Sequence, residues 1–332
     1  MNIATQITET KEWNVNFMKL SLVVPCFNEE DNVWDFYNCV NNCFEGKNFD
    51  YEMVFVDDGS RDKTFAKLKE ISNDKTANVQ VISFSRNFGK ESAIYAGLTR
   101  AKGDRVCIID ADLQQRPEVV LQMMEILDSK PELDCVSAYQ AERKEGGVIS
   151  YVKSCFYKLI NKMSEVDFVN GASDFRLMTR KMVNAVLSMT EYHRFSKGIL
   201  SWVGFETEYI PYEVQIREHG ESKWGTIKLI KYALEGIVAF STAPLKISTF
   251  VGFVSSILSV LYLIFVVVQK LVFGIAIPGY ATIIVLLLLI GGLILFSLGI
   301  IGEYLSRMYV QLKNRPIYIE KIHLEQTNED EK

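Results

Sequence analysis

From Ile247 to Gln269 the chain passes through 23 residues without a charged side chain, and after Lys270 and the turn signal Pro278-Gly279 a second uncharged run extends to Gly302. An α-helix rises about 1.5 Å per residue and the hydrocarbon core of a bilayer is about 30 Å thick, so each run is long enough to cross a membrane. The short connection makes them a hairpin, with spans expected at 247–269 and 282–301 inside a segment 245–305. Lys223, Lys228, Lys231 and Lys246 precede it and Arg307, Lys313 and Arg315 follow it, while the connection carries only Lys270, so both ends are expected on the cytoplasmic side. The alternative, a buried core hairpin, fits runs of this length poorly. Ahead of the hairpin, Ile227, Ile230, Leu234 and Ile237 share one helical face and Lys228, Lys231 and Glu235 another, which predicts an amphipathic interfacial helix over 226–244.

These spans account for a hydrophobic content of 48% and a mean hydropathy of +0.09, high for a soluble chain. They leave residues 19–225 as one cytosolic domain between a polar tail, 1–18, and a second cytosolic tail, 306–332. A net charge of −5 argues against a nucleic-acid binder, which needs a basic surface. The six cysteines form no CxxC pair and several lie within apolar patterns, as expected of reduced core residues in the cytosol.

Within 19–225 strand and helix patterns alternate four times. Leu20–Val24 precedes a helix with Val33, Phe36, Tyr37, Val40 and Phe44 on one face, and Met53–Val56 precedes one with Phe65, Leu68 and Ile71. Val79–Phe84 precedes a helix through Gly97 and Leu98; Val106–Ile109 precedes one opened by Pro117 and carrying Val120, Met123, Met124 and Leu127. Such alternation predicts a mostly parallel sheet with flanking helices. Ligands of these sheets bind beyond the carboxyl ends of the strands, where this chain places Glu29, Asp57, Asp58, Asp110 and Asp112. No GxGxxG follows a strand, which removes the main support for a dinucleotide-binding dehydrogenase. Further on, the patterns predict a strand at 135–139, helices around 149–163 and 179–189 separated by Val169–Arg176, and a late strand at 209–216.

Asp110 and Asp112, one residue apart at a strand end, are hard oxygen ligands suited to Mg²⁺ or Mn²⁺ carrying a diphosphate; a plain acidic turn is the alternative. Arg217 and Lys223, on a loop with Gly220 and Ser222, have the chemistry to clamp phosphate oxygens, or else form a solvated turn before the membrane. Arg143 and Lys144, in a charged loop with Gly146 and Gly147, carry the same two readings.

Five segments stand in order ahead of the two spans: Pro25 with Asn28-Glu29-Glu30, Asp57-Asp58-Gly59-Ser60, Ser85-Arg86-Asn87-Phe88-Gly89-Lys90, Asp110-Ala111-Asp112-Leu113-Gln114, and the loop holding Arg217, Gly220, Ser222 and Lys223. Together they resemble the polyprenyl-phosphate glycosyltransferases, family 2 enzymes of GT-A fold, and the two-span tail is most similar to the bactoprenol glucosyltransferase branch. The resemblance implies that Pro25, Glu29 and Asp57 border the nucleoside, that Asp110 and Asp112 engage metal and diphosphate, and that Gln114 lines the donor sugar. It implies further that Arg143 and Lys144 meet the acceptor phosphate, that Asp174 and Arg176 stand near the reacting centre, and that Arg217, Ser222 and Lys223 bind donor phosphates.

The expected activity is inverting transfer of a sugar, glucose from UDP-glucose in the first instance and UDP-N-acetylglucosamine or another nucleotide sugar as the alternative, to undecaprenyl phosphate at the cytoplasmic membrane face. A phosphate monoester has its second pKa at about 6 and is already a nucleophile at neutral pH, so Asp174 is expected to orient the acceptor or sugar and not to act as an obligatory base. The resemblance also implies a homo-oligomer. No QxxRW-type segment supports a processive synthase, and a non-enzymatic membrane scaffold is the alternative of a different class.

Overall fold

The computed structural model describes residues 19–74, 78–140, 172–213, 238, 241–273 and 279–325. Four strand–helix units open the domain as the alternation predicts: β1 (Lys19–Cys26), α1 (Val33–Phe44), β2 (Asp50–Asp57), α2 (Thr64–Ile71), β3 (Asn78–Phe84), α3 (Lys90–Arg100), β4 (Arg105–Ile108) and α4 (Pro117–Ser129). There follow β5 (Cys135–Gln140), β6 (Ala172–Thr179), α5 (Arg180–Ser188), α6 (Ser196–Trp202), β7 (Thr207–Tyr212), α7 (Ala243–Phe273), α8 (Tyr280–Leu312) and β8 (Glu320–Glu325). The strands form one sheet in the order β7-β5-β6-β4-β1-β2-β3-β8. Its centre is parallel, β4 with β1, β1 with β2 and β2 with β3, while β6 and β8 run antiparallel to β4 and β3.

Side chains that alternate along the strands separate into two apolar layers. Leu20, Leu22 and Val24 join Met53, Phe55, Val79 and Val81 beneath α1, α2 and α4. Val23, Val54, Val56 and Ile82 face the other way, beneath α3, α5 and α6. Each fully buried side chain of this kind contributes about 1.5–3 kcal/mol relative to exposure, so register is strongly specified. No disulfide joins the described cysteines, and Cys26, Cys107 and Cys135 are buried, in keeping with their apolar settings.

Three elements differ from the pattern expected of the sequence. The segment Val169–Arg176, expected to separate two helices, contains the start of β6, which lies between β4 and β5. Residues 320–325, placed in a tail, form β8 on the edge of β3, with Gln80 opposite Glu325 and Ser83 opposite Ile322. Tyr318 stacks on Phe84 at 4.8 Å between ring centroids, and Arg100 bridges Glu320 at 3.0 Å. The late strand expected at 209–216 begins two residues earlier, at Thr207, and ends at Tyr212. The expected helix around 149–163 lies outside the described residues, as do residues 226–237, 239 and 240 of the interfacial helix expected over 226–244, whose last two residues, Ala243 and Pro244, instead open α7.

α7 and α8 are 31 and 33 residues long, and at about 1.5 Å per residue either exceeds the thickness of a bilayer core. They pack against each other and leave their remaining apolar surface open, with Leu271 79% and Leu295 71% exposed. A continuous apolar surface of this size marks a membrane or partner contact. The end of α8 is fastened to the domain: the Gln311 side chain accepts from the Tyr192 backbone N–H at 2.8 Å and donates to the Thr190 carbonyl at 3.3 Å. Tyr304 Oη donates to the Ser241 carbonyl at 2.6 Å. The chain thus leaves the sheet, forms the hairpin and returns through β8 to the same sheet.

Candidate active site

Parallel β1, β2 and β4 end on the same rim because their register brings Cys26 beside Asp57 and the Ile109 N–H to the Val23 carbonyl at 3.0 Å. The Cys26 thiol reports how acidic this rim is. Burial first, and then the charges of Glu29, Asp57, Asp110 and Asp62, push it well above the usual thiol range.

Beyond β4 the chain turns sharply, with Leu113 at a φ of 56° between Asp112 and Gln114. Asp112 Oδ1 accepts the Gln114 N–H at 3.2 Å. The buried Gln115 side chain fixes Asp110, accepting its N–H at 2.9 Å and donating to its Oδ2 at 3.3 Å. The antiparallel ladder ends with Ile108 opposite Arg176, so Asp110 and Asp174 each lie two residues beyond its last pair, close enough to share one cation. Lys90 closes this arrangement: its Nζ lies 2.7 Å and 2.9 Å from the two oxygens of Asp110 and 3.3 Å from Asp174 Oδ2. A cation in the first turn of a helix opposes the helix dipole, and the two carboxylates account for its presence there.

Burial favours the neutral form of Asp174, but the charges of Lys90, Lys197 and Arg176 outweigh it and hold the group below the usual carboxylate range. It is therefore an anion at neutral pH and a weak base. Among the described residues Asp174 Oδ1, Arg176 Nε and Ser137 Oγ, side by side on β5 and β6, are buried polar atoms without a hydrogen-bond partner. Arg176 itself is 4% exposed and donates through Nη2 to the Ser173 carbonyl at 3.0 Å. Unsatisfied buried groups are expensive, and their concentration beside Asp110 marks a place where a polar ligand completes the hydrogen bonding.

Of the nucleoside-side residues, Pro25 is half-buried at the end of β1 and Glu29 accepts from Asn32 Nδ2 at 2.5 Å. Asp57 is buried and accepts from Ser83 Oγ at 2.7 Å and the Ser60 N–H at 3.0 Å. Its immediate role is to fix the turn after β2. Gln114 is half-buried beside Asp112. Arg143, Lys144, Arg217, Ser222 and Lys223 lie outside the described residues.

Sequence reasoning left four contributors without a role: Lys90, Gln115, Asp58 and Glu91. Asp58 accepts the N–H groups of Phe88 at 2.6 Å and Gly89 at 2.9 Å and so holds the loop that delivers Lys90. Burial, offset in part by those hydrogen bonds, raises Asp58 to about 6. The one available signal was Lys90 itself, a cation directly after Gly89 at a helix start. Glu91 accepts from the N–H of Ser196 at 2.7 Å and from its hydroxyl, joining α3 to α6.

Burial, together with the charge of Asp174, raises Glu91 to about 7 against the hydrogen bonds from Ser196. A carboxyl whose folded pKa exceeds its unfolded value of about 4.3 binds more protons folded than unfolded between the two, so stability falls as pH rises through that window and levels off above about 7. Glu91→Gln is expected to flatten this dependence by on the order of 2 kcal/mol between about pH 5 and pH 8, discounted for partial solvent screening. Denaturant unfolding of both proteins at the two pH values measures it, and parallel pH dependences would refute it.

The sequence matches Glycosyl transferase family 2 over residues 21–187 and the GtrB C-terminal hairpin over residues 243–308. It is 41% identical over 305 residues to the SfII prophage-derived bactoprenol glucosyl transferase of Shigella flexneri, covering 92% of this chain and 98% of that protein. It is 40% identical, again over 305 residues, to a prophage bactoprenol glucosyl transferase homolog of Escherichia coli strain K12, covering 92% and 99%. Among solved structures, glucosyl-3-phosphoglycerate synthase from Mycobacterium tuberculosis in complex with Mn²⁺, UDP-glucose and phosphoglyceric acid aligns with a TM-score of 0.44 and 17% identity over 67% of this chain and 78% of that one. The chain belongs to glycosyltransferase family 2: a GT-A-type mixed sheet carries the acidic rim, and a two-helix hairpin follows it.

Proposed function

We propose that this glycosyltransferase is anchored in the cytoplasmic membrane and transfers glucose from UDP-glucose to undecaprenyl phosphate with inversion. The observation that carries the reading is the junction at Lys90, where the Asp110–Asp112 turn meets Asp174 on a domain fastened to an apolar hairpin. Relatives named bactoprenol glucosyl transferases, aligned along nearly their whole length, support the acceptor class.

The donor set on the turn is all carboxylate, which fits Mg²⁺ or Mn²⁺, and Asp112 with Asp110 would hold the ion. When bound, such an ion supplies neutralisation of the charge that develops on the departing diphosphate. Asp174, ionised and flanked by Arg176, orients the reacting groups. The lipid phosphate, largely dianionic above its second pKa of about 6, attacks the anomeric carbon as the bond to the diphosphate breaks. Pro25, Glu29, Asp57 and Gln114 border the donor; Arg217, Ser222 and Lys223 clamp its phosphates, and Arg143 with Lys144 receives the acceptor phosphate. The hairpin, fixed to the domain through Gln311 and β8, sets the rim at the depth of the lipid head group, with exposed Lys246 at the anionic surface. Both chain ends lie in the cytosol, and the protein assembles as a homo-oligomer through the hairpin.

Radiolabelled UDP-sugars supplied with undecaprenyl phosphate and Mg²⁺ or Mn²⁺ test the reading. Label is expected in the organic-extractable lipid from UDP-glucose. Label from UDP-N-acetylglucosamine instead would move the donor assignment, and no labelled lipid from any donor would favour a scaffold.

A further inference from the structure

We propose that Lys90 is an internal counterion that withholds Asp110 from a divalent cation until a diphosphate arrives, so that metal and nucleotide bind the site together. The inference rests on the reading of this rim as a metal–diphosphate site and assigns Lys90 a positioning role within it.

The first ground is occupancy. Both oxygens of Asp110 contact the Lys90 ammonium, at 2.7 Å and 2.9 Å, and Oδ2 also accepts from Gln115. A cation seeking Asp110 must displace a hydrogen-bonded ammonium that is also tied to Asp174 at 3.3 Å. The second ground is the ligand set. Mg²⁺ and Mn²⁺ favour about six oxygen ligands, and among the described residues no three His, Cys, Asp or Glu side chains group together to hold an ion. With Asp110 occupied, the turn offers a bare cation little beyond Asp112 and water.

A diphosphate changes both terms. Its oxygens supply the missing ligands, and its negative charge competes with Asp110 for the ammonium. The third ground is placement. Lys90 begins α3 directly after the loop that Asp58 holds through Phe88 and Gly89, so the fold fixes its backbone, and its part-exposed ammonium is held in place by the contacts to Asp110 and Asp174. Removing its charge would leave both oxygens of Asp110 without the cation that now contacts them, a stronger attraction for a bare divalent ion.

The test is Mn²⁺ binding by the full-length protein in detergent, read from the electron paramagnetic resonance signal of free Mn²⁺, with and without UDP. Wild type is expected to bind Mn²⁺ weakly alone and about tenfold or more tightly with UDP. Lys90→Met is expected to bind Mn²⁺ alone about tenfold more tightly than wild type and to gain less from UDP, while Lys90→Arg keeps the wild-type pattern. Lys90→Gln, which keeps a hydrogen bond to Asp110 without the charge, is expected to follow Lys90→Met and serves should the methionine variant fail to fold. A wild type that binds Mn²⁺ and UDP together, with neutral variants showing no gain for Mn²⁺ alone, overturns the inference and leaves the site reading standing. A wild type that binds Mn²⁺ in neither condition overturns both.

Discussion

Asp112→Asn is expected to lower kcat/KM for sugar transfer by about 10³-fold, equivalent to about 4 kcal/mol of transition-state stabilisation, while leaving the fold intact. The two halves of this expectation come from different atoms. Asp112 is half-buried on the turn after β4, and its Oδ1 accepts the Gln114 N–H at 3.2 Å. An asparagine carbonyl accepts that bond as well, so the turn with Leu113 at positive φ keeps its local support. What the amide lacks is the negative charge that a hard divalent ion needs from its ligand. Initial rates with UDP-glucose and Mn²⁺, alongside thermal unfolding of the same preparations, separate the two effects. A variant within about tenfold of wild type would remove Asp112 from the role proposed for it.

The parts of the molecule that could be read from the sequence are those in which local pattern and final environment agree. β1 to β4 alternate apolar side chains into two layers, and α1 and α4 bury the stripes that spacing identifies. The hairpin helices could be read because their central stretches, 247–269 and 280–302, carry no charge, while Lys246, Lys270, Glu303 and Arg307 fall towards their ends. β6 escaped because Ala172-Ser173-Asp174-Phe175-Arg176 carries two ionic residues on one face of a central strand, where pattern reading expects apolar ones. Those charges are affordable only because Lys90 and Lys197, distant in sequence, compensate Asp174. β8 escaped for the opposite reason: Glu320-Lys321-Ile322-His323-Leu324-Glu325 is too polar to announce a strand, yet charge is what an edge strand carries. Its conformation is dictated by the open edge of β3, a partner far away in the chain.

The candidate site divides along the same line. Asp110 and Asp112 declare themselves by spacing at a strand end, whereas the residues that set their state do not. Gln115 is adjacent to Gln114, and no periodicity distinguishes the amide that fixes Asp110 from the one beside it. Asp58 looks like one more rim acid, yet both of its oxygens serve a loop after the next strand. Positioning is a property of contacts between units, and a single strand–helix unit does not contain it.

The same contact makes Gly59→Ala the most damaging small substitution expected in the domain. Gly59 has a φ of 66°, and a Cβ there would stand 2.4 Å from the Arg86 carbonyl carbon, 2.7 Å from the Asn87 nitrogen and 2.8 Å from the Arg86 oxygen. These are backbone atoms, so no rotamer change relieves the clash; either the turn after β2 or the loop after β3 must move. Strain at positive φ costs about 1–2 kcal/mol and overpacking about 1–3 kcal/mol, which sets the expected destabilisation at about 3 kcal/mol. Gly46→Ala isolates the first contribution, because Gly46 has a φ of 70° with nothing within 4 Å of its Cβ position. It should therefore lose only about 1 kcal/mol. Activity should fall further in Gly59→Ala than stability alone requires, since the displaced loop carries Lys90 away from Asp110 and Asp174. Denaturant unfolding of both variants, with transfer rates measured where each remains folded, decides the matter: equal destabilisation of the two would mean that the closeness of Arg86 is without consequence.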